Sequence, residues 1–138
     1  MLPSRPEYER FIYTIVDTYP AVEKSTLRFF TTSATAGLLK GTIWFSKGLE
    51  LRVVEVIDFA AREILDYSYA VYQGKEKIVW YDPQPHPGDA RLAETFPHHK
   101  HELPNIRQNR KPAPGISFNN PNLPGLIAEI ATLPGKEK

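Results

Sequence analysis

The chain has no cysteine. That removes disulfides, thiolate metal sites and cysteine nucleophiles together, so any metal would have to rest on histidine and carboxylate groups. No apolar run approaches the roughly eighteen residues a membrane span needs, and the opening MLPSRPEYER has no apolar signal-peptide core ahead of its first charges. A cytoplasmic address with no membrane partner is the expectation. The net charge is only +1, so a polyanionic partner cannot be argued from the total and must be argued from local clustering. Proline is missing from the whole of 21–82, although the chain holds thirteen and ten of them lie from Pro83 onward. Because an interior proline removes a ladder donor and breaks helices, the proline-free stretch is expected to be the structural body and the proline-rich remainder something else.

What is present suffices for a core. With 138 residues and a hydrophobic fraction of 41%, the chain is long enough for one domain, 1–138, and short for two. Ser4 and Glu7 have the spacing of a capping box, and Tyr8, Phe11, Ile12, Ile15, Val16 and Tyr19 recur at helical spacing before Pro20, which predicts an amphipathic helix over 4–19. From Val22 to Asp82 the choice shifts to Val, Ile, Thr, Tyr, Phe and Trp between turn signals, predicting strands at 22–33, 38–46, 49–58, 62–72 and 76–82. Connections this short join only antiparallel neighbours. The fold class expected is therefore α+β: an antiparallel meander of about five strands over 22–82, with one face under the first helix. Leu39, Ile43 and Phe45 are expected on that face, as are Tyr67, Tyr69 and Val71. A long Pro-rich, His-containing arm over 83–120 follows, and then a helix over 122–133, with Asn122 as its cap and Leu126, Ile127, Ile130 and Leu133 facing inward.

The arm concentrates the chemistry. His86, His98, His99 and His101 all fall within sixteen residues. Histidine titrates near neutral pH and can both take a proton from a ribose 2′-OH and return one to a leaving 5′ oxygen, so the cluster suits metal-independent RNA cleavage. Lys100 would supply positive charge to a crowded phosphorane. The candidate catalytic residues are thus His86, His98, His99, Lys100 and His101. In an extended segment His99 and His101 point to one side and His98 and Lys100 to the other. Between Pro97 and Lys111 four cations, Lys100, Arg107, Arg110 and Lys111, stand against Glu102 alone, a phosphate-binding pattern beside Phe96 and Phe118, which can stack on unpaired bases or anchor the core.

Two other readings stay open. His86 and two of the later histidines, with Asp82, Asp89 or Glu102, have the donor types of a zinc site, although Pro97 and Pro104 leave too little room for the helix on which histidine zinc motifs rely. A plainer alternative is a solvated loop whose imidazoles bond backbone carbonyls. Asp82 itself either orients a histidine or caps the turn at Pro83, and the cap is the expectation. No cofactor and no metal are expected.

The order LRVVEV, YSYAVYQGKEKIVWYD, PHP, TFPHHKH and LPGLIAEI resembles the TumE-type toxins of bacterial and archaeal type II toxin-antitoxin systems, from about Leu38 to Leu133, with Pro97 to His101 the most specific part. Trp80 and Pro87 stand where that family pattern has an arginine and a second histidine. The resemblance implies a growth-inhibiting protein, restrained by a cognate antitoxin that is a small DNA-binding regulator, with RNA as the usual target. A non-catalytic RNA-binding or antitoxin-docking module is the alternative, and a homodimer is compatible with either.

Overall fold

A computed structural model describes residues 1–84, 92 and 95–134. The chain opens with α1 (Arg5–Tyr13), started by the expected capping box: Glu7 N–H donates to Ser4 Oγ at 3.4 Å and Ser4 N–H to Glu7 Oε1 at 3.1 Å. The Ser4 hydrogen bonds hold the Glu7 carboxyl below its ordinary range. The helix does not run to residue 19. Thr14 turns its hydroxyl back onto the Arg10 carbonyl at 2.7 Å, and its N–H bonds the Phe11 carbonyl three residues back. Such side-chain competition ends α1, and a separate turn, α2 (Ile15–Thr18), follows. The changed phase leaves Ile15 buried and Val16, expected on the inner face, exposed.

Among the described residues the sheet has eight strands, not five: β1 (Val22–Ser25), β2 (Arg28–Thr31), β3 (Ala36–Phe45), β4 (Leu49–Asp58), β5 (Glu63–Gln73), β6 (Glu76–Asp82), β7 (His99–Glu102) and β8 (Arg110–Pro112). From β3 to β8 each strand pairs antiparallel with the next, the meander that short connections dictate, while β1 and β2 both lie on the free edge of β3. Two expectations are corrected. The strand read as 22–33 breaks at Thr26-Leu27, where it passes over Gly41 of β3. Gly41 has φ +153°, and a Cβ there would lie 2.7 Å from both Leu27 Cα and the Thr26 carbonyl oxygen. Because both neighbours are backbone, Gly41→Ala is expected to cost about 3 kcal/mol, seen as a lower urea midpoint with unchanged slope. The second correction is that 83–120 is no detached arm. Its β7 and β8 extend the sheet beyond β6.

One face of the sheet is the core. Leu39, Ile43 and Phe45 of β3, Leu51, Val53 and Ile57 of β4, and Tyr67, Tyr69 and Val71 of β5 alternate onto it as expected. Tyr8 and Ile12 of α1 pack there, as do Leu123, Leu126, Ile127 and Ile130 of α3 (Leu123–Ala131). Asn122 occupies the cap position of α3, its carbonyl accepting the Leu126 N–H at 3.1 Å, but makes no side-chain cap bond. Its side chain accepts from Ser117 N–H and donates to the Ser117 carbonyl and to the Tyr69 hydroxyl, tying the incoming loop to the sheet. Among the described residues no helix is long and apolar enough to cross a membrane.

Candidate functional site

The site is set by the register of β7 on β6. Asp82 stands opposite His99, Tyr81 opposite Lys100 and Trp80 opposite His101. Directly opposed residues of an antiparallel pair project to the same side, and neighbours along a strand to opposite sides. Trp80, Asp82, His99 and His101 therefore share one face. Tyr81 and Lys100 share the other, where α3 lies: the Tyr81 hydroxyl donates to Glu129 at 3.3 Å and Lys100 Nζ is 4.0 Å from the same carboxylate.

Three ionisable groups converge on the first of these faces. His99 Nε2 is 3.0 Å from His101 Nε2 and 3.1 Å from Asp82 Oδ1, and His101 Nε2 is 3.5 Å from Asp82 Oδ2. All three are buried, with exposures of 1% for His99, 4% for His101 and 7% for Asp82. His99 Nδ1 lies 3.1 Å from the Pro97 carbonyl. A carbonyl only accepts, so Nδ1 carries the hydrogen of that bond, and Nε2 is the atom turned toward the cluster. Asp82 has the two roles between which the sequence left a choice: its Oδ1 accepts the Gln84 N–H at 2.9 Å, closing the turn, while the carboxylate faces both imidazoles. Burial pushes the His101 imidazole below the ordinary histidine value, against the pull of Asp82.

Beside the cluster is a cleft of about 390 Å³ lined by Lys77, Trp80, Gln84, His101, Ile106, Arg107 and Arg110. The Trp80 ring stacks on His101 with centroids 4.7 Å apart, held by a bond from its Nε1 to Ser68 Oγ, and Lys77 Nζ lies 4.7 Å from the same indole. Arg110 Nε is enclosed with no hydrogen-bond partner among the described residues. The cleft thus combines an aromatic wall with three cations, one of which, Arg110, has an enclosed donor, features suited to an anionic ligand.

The candidates from sequence divide over the two faces. His99 and His101 come together, and Arg107 and Arg110 line the adjoining cleft. His98 faces the other way, its Nδ1 2.7 Å from the Tyr67 hydroxyl and its ring against Phe118, and burial, then the neighbouring His99, lowers its pKa. Lys100 is on that side too, paired with Glu102 at 3.6 Å, and Lys111 pairs with the same carboxylate at 3.4 Å. Strand alternation thus separates Lys100 from the imidazoles on either side of it, and Glu102 from them as a ligand. Phe96 is exposed, whereas Phe118 packs on the core. His86 and Asp89 lie outside the described residues. Sequence reasoning missed Lys77 and the walling role of Trp80, since only the β5–β6–β7 register brings them beside His101.

No curated protein and no solved structure matches the chain. A family model does, that of toxin TumE, over residues 12–133. The match takes in every strand described above, both sides of the Asp82, His99 and His101 cluster, and α3. This chain belongs to the TumE toxin family.

Proposed function

We propose that the protein is the toxin of a type II toxin-antitoxin pair, restrained by a small DNA-binding antitoxin, and that it cleaves RNA at the unit formed by Asp82, His99 and His101. The observation that carries this reading is a buried pair of imidazoles backed by a carboxylate and flanked by a cleft with an aromatic wall and three cations. Unpaired bases stack on aromatic side chains, and guanidinium groups hold phosphate without reading sequence. In this arrangement the Trp80 face takes a base, Lys77, Arg107 and Arg110 hold the phosphate, and the reactive 2′-oxygen lies toward His101.

The geometry refines the chemistry. Imidazoles acting separately as base and acid flank the phosphorus from opposite sides, whereas the Nε2 atoms of His99 and His101 are 3.0 Å apart and no phosphoryl group fits between them. They act as one unit with Asp82 on one side of the scissile bond.

Incubating the purified protein with a mixed-sequence RNA, with and without ribosomes, tests the reading by product mapping. New 5′ ends that appear with wild type and vanish with Asp82→Asn support it. RNA that is bound and never cut leaves a docking module in its place. Arg107→Ala and Arg110→Ala are each expected to weaken RNA binding roughly tenfold at low salt and to flatten the slope of log K against log salt by about 0.7, the value for one phosphate contact on a single strand. Fluorescence anisotropy over a salt series measures both, and an unchanged slope would move phosphate binding away from the cleft.

A further inference from the structure

We propose that Asp82, His99 and His101 bind one divalent cation of the zinc class, which completes the reacting unit of the toxin. The candidate coordinating atoms lie close to the required spacing. Ligands about 2.1 Å from a zinc-class ion are about 3.0 Å apart when its coordination is octahedral and about 3.4 Å apart when it is tetrahedral. The separations here are 3.0 Å between the two Nε2 atoms, 3.1 Å from His99 Nε2 to Asp82 Oδ1 and 3.5 Å from His101 Nε2 to Asp82 Oδ2, so each imidazole meets its own oxygen of the one carboxylate.

The arrangement of the rings leads to the same conclusion. With His99 Nδ1 held by the Pro97 carbonyl, its Nε2 is aimed at a second imidazole nitrogen and at a carboxylate oxygen. Two imidazole nitrogens and a carboxylate thus converge in one buried space, where a single cation would attract all three groups. The Pro97 carbonyl then does for His99 what an outer partner does for a metal-bound histidine, fixing its tautomer and ring direction.

The local sequence produces the site without a helix. His-Lys-His on a strand points two imidazoles to one face, and the β6–β7 register supplies the carboxylate from across the ladder. Three protein ligands leave further coordination positions on a zinc-class ion, and His101 also lines the basic cleft. A cation there would lower the pKa of a bound hydroxyl or water and help neutralise a phosphate. This catalytic consequence rests on the reading of the cluster as an RNA-cleaving centre, while the binding of the metal does not.

The experiment titrates zinc chloride into chelator-stripped, dialysed full-length protein by calorimetry, with cobalt absorption spectra as a second readout. Wild type is expected to take one zinc per chain with Kd below about 1 μM, and to gain thermal stability on loading. Asp82→Asn keeps an oxygen for the Gln84 N–H while losing the charge, and is expected to weaken zinc at least tenfold. His99→Gln with His101→Gln should abolish binding and the cobalt bands, circular dichroism confirming the fold; should that pair fail to fold, Asp82→Asn alone decides. The proposal is overturned by wild type that takes no zinc, by zinc retained in a folded double variant, or by zinc lost from His98→Ala with the cluster intact. Zinc bound with RNA left whole defeats the RNA reading alone. RNA cut at full rate by stripped protein that takes no zinc defeats the metal alone.

Discussion

Asp82→Asn and His101→Ala are each expected to lower the proposed RNA cleavage by about 10²–10⁴-fold, the range for removing one positioned catalytic group, and to relieve growth arrest on expression in parallel. Asp82→Asn is the sharper probe. It retains the acceptor that closes the turn onto Gln84 and removes only the negative charge facing the two imidazoles. A loss with this variant therefore reports on the cluster and not on the turn. His101→Ala also removes the stacking partner of Trp80, so its effect includes some loss of cleft shape. His98→Ala provides the contrast. That ring is on the opposite face, bonded to Tyr67 and packed on Phe118, so its removal should lower thermal stability by a few degrees and change cleavage less than about tenfold. Single-turnover cleavage of a defined RNA by the three folded variants is the measurement. Activity that survived Asp82→Asn and fell with His98→Ala or Lys100→Ala would transfer the reacting centre to the α3 side of the sheet.

That division of neighbouring residues between two faces was partly legible in the sequence. Alternation alone puts His99 and His101 together and His98 with Lys100, and the structure has them so. What alternation cannot give is the neighbour across the ladder. Asp82 meets His99 because β7 pairs with β6 in one register, and β7 is four residues, His-Lys-His-Glu, between prolines, with no apolar period to mark it as a strand. The meander from β3 to β6 was legible for the opposite reason. Long runs of β-branched and aromatic residues are separated by turns that permit only antiparallel return, and Gly74, at φ +62°, closes the tightest of them. The break at Thr26-Leu27 carries no proline or glycine of its own. Its cause is on another strand, in the missing side chain of Gly41, and contacts of that kind are tertiary information. Lys77 went unrecognised for the same reason: a cation beside a tryptophan is ordinary in a strand, and only the position of His101 makes it part of a cleft.

The face opposite the cluster carries the largest expected effect on stability, at a group the sequence pattern would have made apolar. Glu55 lies fully buried among the inward residues of β4 and accepts hydrogen bonds from the Tyr8 hydroxyl, at 2.5 Å, and from the Tyr69 hydroxyl; Asn122 donates in turn to Tyr69. One carboxylate thereby joins α1, two central strands and the start of α3. Glu55→Ala leaves a cavity, strips Tyr8 of its acceptor, and is expected to cost about 4 kcal/mol in chemical denaturation. The group also gives stability a sign with pH. Burial raises the Glu55 pKa above its ordinary value of 4.5, outweighing the two tyrosine bonds, which lower it. A raised folded-state value means that the unfolded chain releases this proton first. The contribution of Glu55 is therefore complete below about 4.5 and is lost as pH climbs through the higher folded-state value. Glu55→Gln cannot ionise, so the melting temperature of wild type minus that of Glu55→Gln should fall as pH rises from 4.5 and then level off, while other titrations cancel in the difference. A difference that rose with pH would mean that the two tyrosine hydroxyls hold the carboxylate charged inside the core, and that the charge itself fastens α1 to the sheet behind the histidine cluster.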